Sequence, residues 1–372
     1  MDTTIMRPRV LESDLARRAG LLDVPVGRAA SPDGESARRH TIGWLRGFGV
    51  FQGDDATAQA AVAEYDALRL DRLSALFYPQ AVGPELALAN DLNGWFFVFD
   101  DQFDGELGHR PEAVARLVDS VVRVTREPDQ RGPVPADSPL LASFRDLWRR
   151  INSGMPEVWR NRFRTNWCGY LNAHKREALD RTGPTPHSLD ALLAVKRHSV
   201  GVQPCLDLHE RFGGYALPDA VHAGSPLARM RQATDDVVIF INDIVSLDKE
   251  LAAGDVHNSV LLHHGREGGT LEQAVRHVAG LANARYRYFE ELAAQLPGRL
   301  ARHGAGPELI RHTARYADGM RHVMAGSLAW SLETSRYDDR GVAAVSSGRP
   351  RPWADLTPLG EPASAEGACR AG

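Results

Sequence analysis

Only three cysteines occur in 372 residues, Cys168, Cys205 and Cys369. An odd, widely scattered set excludes a disulfide framework and lacks the spacing of zinc ligands, which fits a reducing compartment. Long apolar runs are missing as well. Nothing approaches about 18 uninterrupted apolar residues, and the opening residues, MDTTIMRP, hold no apolar core of a signal peptide. The expectation is a cytoplasmic protein with no membrane partner. Neither sign of charge dominates, with 44 Lys and Arg against 48 Asp and Glu and a pI near 6.4. That balance removes the basic footprint of a nucleic-acid binder, so any anionic ligand must be met by a local cluster. Internal repeats are absent, and no stretch alternates with period two for long enough to predict a sheet.

What remains is helical. Hydrophobic residues make up 43% of the chain, enough for a sizeable core. Residues 1–37 read as an irregular N-terminal arm, with the breaker-rich AASPDG near their end. Asp54 and Asp55 can cap a helix that runs to Phe77, where Pro79 stops it, and Pro84 opens the next, to Asp104. Pro111 begins another to Arg126, and the Pro-rich stretch 127–139 reads as a loop. Further helices are predicted at about 140–153, 155–182, 188–213, 224–253, 270–296 and 306–337. Residues 341–372 turn to Gly, Ser, Pro and Ala and predict a disordered tail. The expected fold is all-α, one domain over 38–340, with roughly ten or more helices around a central cavity.

Two segments carry chemistry. Residues 92–104, LNGWFFVFDDQFD, pass from an apolar, aromatic run straight into carboxylates, so a buried helix delivers them to the rim of an interior. At about 100° per residue, Asp100 and Asp104 share a face one turn apart while Asp101 points away. Such an acidic edge suits Mg²⁺, which takes one or two carboxylates and completes its shell with water and phosphate oxygens. Residues 242–250, NDIVSLDKE, also follow an apolar run. Asn242, Ser246 and Glu250 stand at i, i+4 and i+8, a staircase of oxygen donors on one face spanning about 12 Å. Asp243 and Asp248 fall off that face and read as structural.

With both segments in view, the chain resembles the class I terpene synthases, in particular the bacterial cyclases, over about residues 38–337. Asp100 to Asp104 looks like that family's aspartate-rich motif, and Asn242, Ser246 and Glu250 match its second metal motif at every defining position. Arg197, 45 residues before Asn242, lies close to where the family keeps a diphosphate-sensing arginine, with Gly201 at the effector position. Trp330 and the pair Arg336 and Tyr337 resemble its C-terminal Arg-Tyr element. Val200 departs from the polar linker that many relatives carry between sensor and effector.

The resemblance implies the class I terpenoid synthase helical bundle and three Mg²⁺ ions bridging a prenyl diphosphate between opposite cavity walls. Asp100, Asp104, Asn242, Ser246 and Glu250 are the implied metal ligands. Arg197, Arg336 and Tyr337 are the implied diphosphate donors. Lys196, about 100° round the helix from Arg197, reads as solvated. Phe96, Phe97 and Trp330 are the candidates to face a carbocation, each contact contributing about 0.5–2 kcal/mol when desolvated. The phrases at 95–100 and 197–204 look closest to cyclases of farnesyl diphosphate, which implies a cyclic sesquiterpene product. A diterpene synthase using geranylgeranyl diphosphate is the alternative, because the metal clusters read only the diphosphate. A prenyl transferase would be expected to show a second aspartate-rich motif, and a non-catalytic helical binding protein would leave both acidic clusters unexplained. The family also implies a possible homodimer.

Overall fold

The computed structural model describes residues 14–27, 29–127, 138–182, 188–255, 257–354 and 356. Among them there are helices and turns and no strand, as the pattern requires. The buried apolar side chains form a single cluster, running from Ala19 to Leu356. At its centre lies the helix Pro84–Asp100, which is apolar on almost every side and buried from Leu86 to Phe99 except at the half-buried Phe97. A helix without a polar face is stable only when other helices surround it. It packs against Gly34–Gly47, Leu70–Phe77 and Pro139–Asn152, while Ser225–Val245 lies between Leu271–Arg302 and Pro307–Ser331.

Three helices expected to be continuous are broken. The segment Asp54 to Phe77 divides into Asp55–Asp66 and Leu70–Phe77 at Arg69, whose φ is 53°. The break frees the carbonyls of Ala67 and Leu68, which accept from Ser335 N and Trp330 Nε1 and so dock the far end of Pro307–Ser331. Such docking offsets a left-handed cost of about 1–2 kcal/mol at a residue other than glycine. The segment 188–213 divides into Leu189–Ser199 and Val202–Gly213 at Gly201, whose φ of 70° requires glycine. The segment 224–253 breaks at Ser246, between Ser225–Val245 and Leu247–Ala253. A further helix, Ser259–Glu267, escaped the sequence reading, and the helix from Leu271 continues past Pro297 to Arg302.

Both ends of the chain are corrected. The arm expected to be irregular contains the helix Asp14–Ala19, and Leu22 and Val24 enter the core behind it. Arg18 grips Asp248 through both nitrogens at 2.9 and 3.0 Å, which fixes this arm beside the second acidic segment. The tail expected to be disordered from residue 341 folds as far as it is described. Asp338 caps the helix Asp339–Ser346 through Arg340 N and Gly341 N. Beyond it Trp353 and Leu356 are buried, at 0% and 2% exposure. One tryptophan, edge-on to Phe51 and Tyr65, anchors this polar strap in spite of its composition. Residues 357–372, with Cys369, lie outside the described residues.

Candidate active site

The central helix ends at Asp100, and the chain tightens into a 3₁₀ turn over Asp101–Phe103 before Asp104. Asp100 and Asp104 remain open to one cavity, with side chains 46% and 45% exposed. Asp101, expected to point away, is instead fully buried at the cavity edge. Its Oδ1 accepts from Arg336 Nη1 at 3.0 Å and its Oδ2 from Trp353 Nε1 at 2.9 Å. The 3₁₀ turn leaves Asp101 about 120° from Asp100, off that residue's face, and its burial comes from the two donors that the C-terminal segment brings to it.

Asn242, Ser246 and Glu250, carried by other helices, line a second wall of the same cavity. Ser246 Oγ lies 2.7 Å from the Asn242 carbonyl and 2.8 Å from Glu250 Oε1, with one hydroxyl proton to share between them. Asn258, which sequence reasoning missed, donates to Glu250 Oε2 at 2.6 Å and to the Asp243 carbonyl at 2.7 Å, so it orients the carboxylate from behind. Asp243 is structural as expected: it pairs with Lys196 and accepts from Ser259 N.

The two walls are joined by adjacent residues. Arg336 Nη2 reaches Asp100 Oδ2 at 3.3 Å, while the Tyr337 hydroxyl accepts from Asn242 Nδ2 at 2.9 Å. Lost solvation, reinforced by Asp104 and Asp101 and opposed by Arg336, pushes the Asp100 carboxyl up to about 7. Desolvation, partly offset by Lys196, does the same to Glu250, again to about 7. Asp104 behaves differently: Lys249, 3.8 Å away, and Arg336 outweigh its desolvation and hold it below its usual value. Lys249 was a second omission. It follows Asn242 by seven residues, a spacing that returns within about 20° to the same helical face.

The basic residues of the Leu189–Ser199 helix exchange their expected places. Arg197 donates from Nε and Nη2 to Asp236, at 2.7 and 3.0 Å, and is not among the residues lining the cavity. Asp236 also pairs with Arg285 at 3.0 Å, so Arg197 is held between helices. Lys196, expected to be solvated, lines the cavity wall, where it pairs with Asp243 and donates to the His257 carbonyl at 2.8 Å. Gly201 does face the cavity, and a Cβ there would lie within ordinary contact of Tyr170 and Phe96.

Comparison with known proteins agrees with this geometry. A family model described as terpene synthase family 2, C-terminal metal binding, matches residues 91–288, which include both acidic segments. The chain belongs to the bacterial class I terpene synthases. It is 60% identical over 359 residues to isoafricanol synthase of Streptomyces violaceusniger (strain Tu 4113), covering 94% of this chain and 92% of that one. It is 52% identical over 346 residues to pristinol synthase of Streptomyces pristinaespiralis, covering 93% and 92%. Among solved structures it resembles germacradien-4-ol synthase from Streptomyces citricolor, with a TM-score of 0.73 and 28% identity over 84% of this chain and 98% of that one.

As a terpene cyclase the protein acts on a prenyl diphosphate and depends on divalent metal. The donors present fit such a cation. All are oxygens, and Arg336 and Lys196 only partly offset the desolvation that raises the Asp100 and Glu250 carboxyls to about 7. The cavity measures about 430 Å³, within the range of small-ligand sites. Phe97 and Trp330 meet edge to face at 5.4 Å on its wall, and Arg336 lies 5.1 Å above the Phe97 ring. Phe96 is also on the wall but is locked from behind, stacked on Trp167 at 4.7 Å and edge-on to Tyr170 at 4.5 Å. Trp330 is fixed by its bond to the Leu68 carbonyl at 2.8 Å. Among the described residues, no helix is long and apolar enough to cross a membrane.

Proposed function

We propose that the protein ionises farnesyl diphosphate with Mg²⁺ and cyclises the resulting cation to a cyclic sesquiterpene, releasing diphosphate. The observation that carries the reading is the junction of the two walls. Consecutive residues Arg336 and Tyr337 bond one partner in each acidic cluster, so both clusters face one compartment across which a diphosphate can lie. Its relatives' activity as sesquiterpene synthases supports the choice of a fifteen-carbon substrate over geranylgeranyl diphosphate. The bulky Phe97 and Trp330 at one wall favour the same choice.

Asp100 and Asp104 on one wall, with Asn242, Ser246 and Glu250 on the other, are the ligands for three ions. When bound, divalent cations neutralise charge that builds on the leaving group as the carbon–oxygen bond breaks. Arg336 and Lys249 direct fixed positive charge at the same oxygens, and Tyr337 adds a hydroxyl. Lys196 takes the position that the family resemblance implied for Arg197, because it is the one of the two that lines the cavity. After ionisation, Phe96, Phe97 and Trp330 exclude water and present ring faces to the cation.

Purified protein with Mg²⁺ offered geranyl, farnesyl and geranylgeranyl diphosphates in parallel tests the reading, with extracts separated by gas chromatography and mass spectrometry. A cyclic fifteen-carbon product formed with the highest kcat/KM is expected. A cyclic twenty-carbon product formed more efficiently would replace the substrate and leave the class I chemistry standing.

A further inference from the structure

Between the two open carboxylates of the aspartate-rich turn stand Asp101 and Gln102, and both are engaged by the C-terminal strap. Asp101 bridges two buried donors, Trp353 Nε1 at 2.9 Å and Arg336 Nη1 at 3.0 Å, one on each carboxylate oxygen. Gln102 holds the strap's backbone at Trp353 and just beyond it. Its Nε2 donates to the Trp353 carbonyl at 2.8 Å, and its Oε1 accepts from Leu356 N at 3.0 Å. The Trp353 ring is fully buried against Tyr65, centroids 5.6 Å apart, and the strap's Gly348 and Pro350 help wall the cavity.

We propose that Trp353 is a positioning residue for catalysis: by fixing the free oxygen of Asp101, it holds the other against Arg336 and keeps that guanidinium aimed at the diphosphate. This rests on the functional reading above, in which Arg336 contacts the leaving group. A carboxylate bound on both oxygens cannot rotate. Without the indole donor, one oxygen of a buried charge loses its partner and Asp101 turns to recover one, taking Arg336 with it. The same strap closes that side of the cavity, so a misaimed Arg336 and premature entry of water accompany each other.

The test replaces Trp353 in the full chain in two ways. Trp353→Phe keeps an aromatic ring, and incorporation of β-(3-benzothienyl)alanine at position 353 keeps the shape while removing only the N–H. Calorimetric titration with inorganic diphosphate in Mg²⁺ reads the positioning directly, and product analysis on farnesyl diphosphate reads its consequence. Both substitutions are expected to raise the Kd for diphosphate about tenfold, equivalent to about 1.4 kcal/mol. They are also expected to increase the share of acyclic products, while the benzothienyl protein melts near the parent's temperature. In an Asp101→Asn background the same substitutions should change Kd no further, because Trp353 acts through Asp101; a purely structural role would add its effect in both backgrounds. A folded benzothienyl protein with the parent's Kd and product ratio would overturn the inference alone. A parent that neither binds diphosphate with Mg²⁺ nor turns over any prenyl diphosphate would overturn the functional reading and this inference together.

Discussion

Lys196 and Arg197 are adjacent cations of which one faces the cavity, and exchanging each for methionine separates their roles. In Lys196→Met the lost group is a buried ammonium at the cavity wall. A hydrogen bond from a charged donor contributes about 1.5–3 kcal/mol, so kcat/KM for farnesyl diphosphate should fall about tenfold to a hundredfold. The variant also leaves Asp243, with no exposed surface, short of its partner, and breaking a buried pair costs about 3–5 kcal/mol of stability. Lys196→Arg, which keeps the charge, is therefore the control, and turnover is compared below the melting temperature of each protein. In Arg197→Met the partner Asp236 retains Arg285 at 3.0 Å, so stability falls by only about 1–3 kcal/mol. Turnover should stay within about threefold of the parent, a difference below about 0.7 kcal/mol in barrier. Steady-state diphosphate release with saturating Mg²⁺ is the assay. Loss of turnover in Arg197→Met with retention in Lys196→Met would refute the placement and restore the expectation drawn from spacing.

Phe97→Ala opens the wall where Phe97 meets Trp330 and removes a cation–π contact with Arg336 of about 0.5–2 kcal/mol; acyclic or early-quenched products should rise, and an unchanged profile would assign the ring to packing alone. Glu250→Gln removes the only formal charge among Asn242, Ser246 and Glu250 and should raise the Mg²⁺ concentration for half-maximal turnover by about tenfold or more, whereas unchanged metal dependence would exclude it as a ligand. His174 is buried between Phe99, Phe103 and Tyr170, and desolvation pushes it down to about 4. Between that value and 6.5 the unfolded chain binds the proton and the folded one does not. Its contribution is complete above about 6.5 and is lost as pH falls towards 4, with a ceiling of about 3 kcal/mol. His174→Phe should flatten the fall of the urea midpoint over that window, and parallel curves for variant and parent would contradict this.

The oxygen donors were legible because they stand where apolar helices end, and a one-turn spacing in sequence becomes a shared face in space. Asn242, Ser246 and Glu250 do share one cavity wall although the helix breaks at Ser246, since its amide still bonds the Asn242 carbonyl across the break. The exchange of Lys196 and Arg197 was not legible. Neighbouring residues lie about 100° apart, and which of them faces inward depends on the rotation of the whole helix, set here by Asp236 and Arg285 on other elements. Breaks at Arg69 and Gly201 were missed for a related reason. Local propensity does not reveal that Trp330, from a segment more than two hundred residues away, will occupy the carbonyl freed at Leu68. Asp101 and Trp353 define each other across 252 positions, and no periodicity connects them.

In the proposed reaction two oxygen clusters on two walls of one cavity hold divalent cations on one diphosphate. Crystals grown with Mn²⁺ in place of Mg²⁺ and with inorganic diphosphate test it most directly, because anomalous scattering locates the ions without prior assignment. Peaks are expected at ligand distance from Asp100 on one wall and from Asn242, Ser246 and Glu250 on the other, with diphosphate oxygens bridging them and Arg336 and Lys249 in contact. Ions confined to one wall, or a diphosphate bound with no ion on Asn242, Ser246 and Glu250, would contradict it.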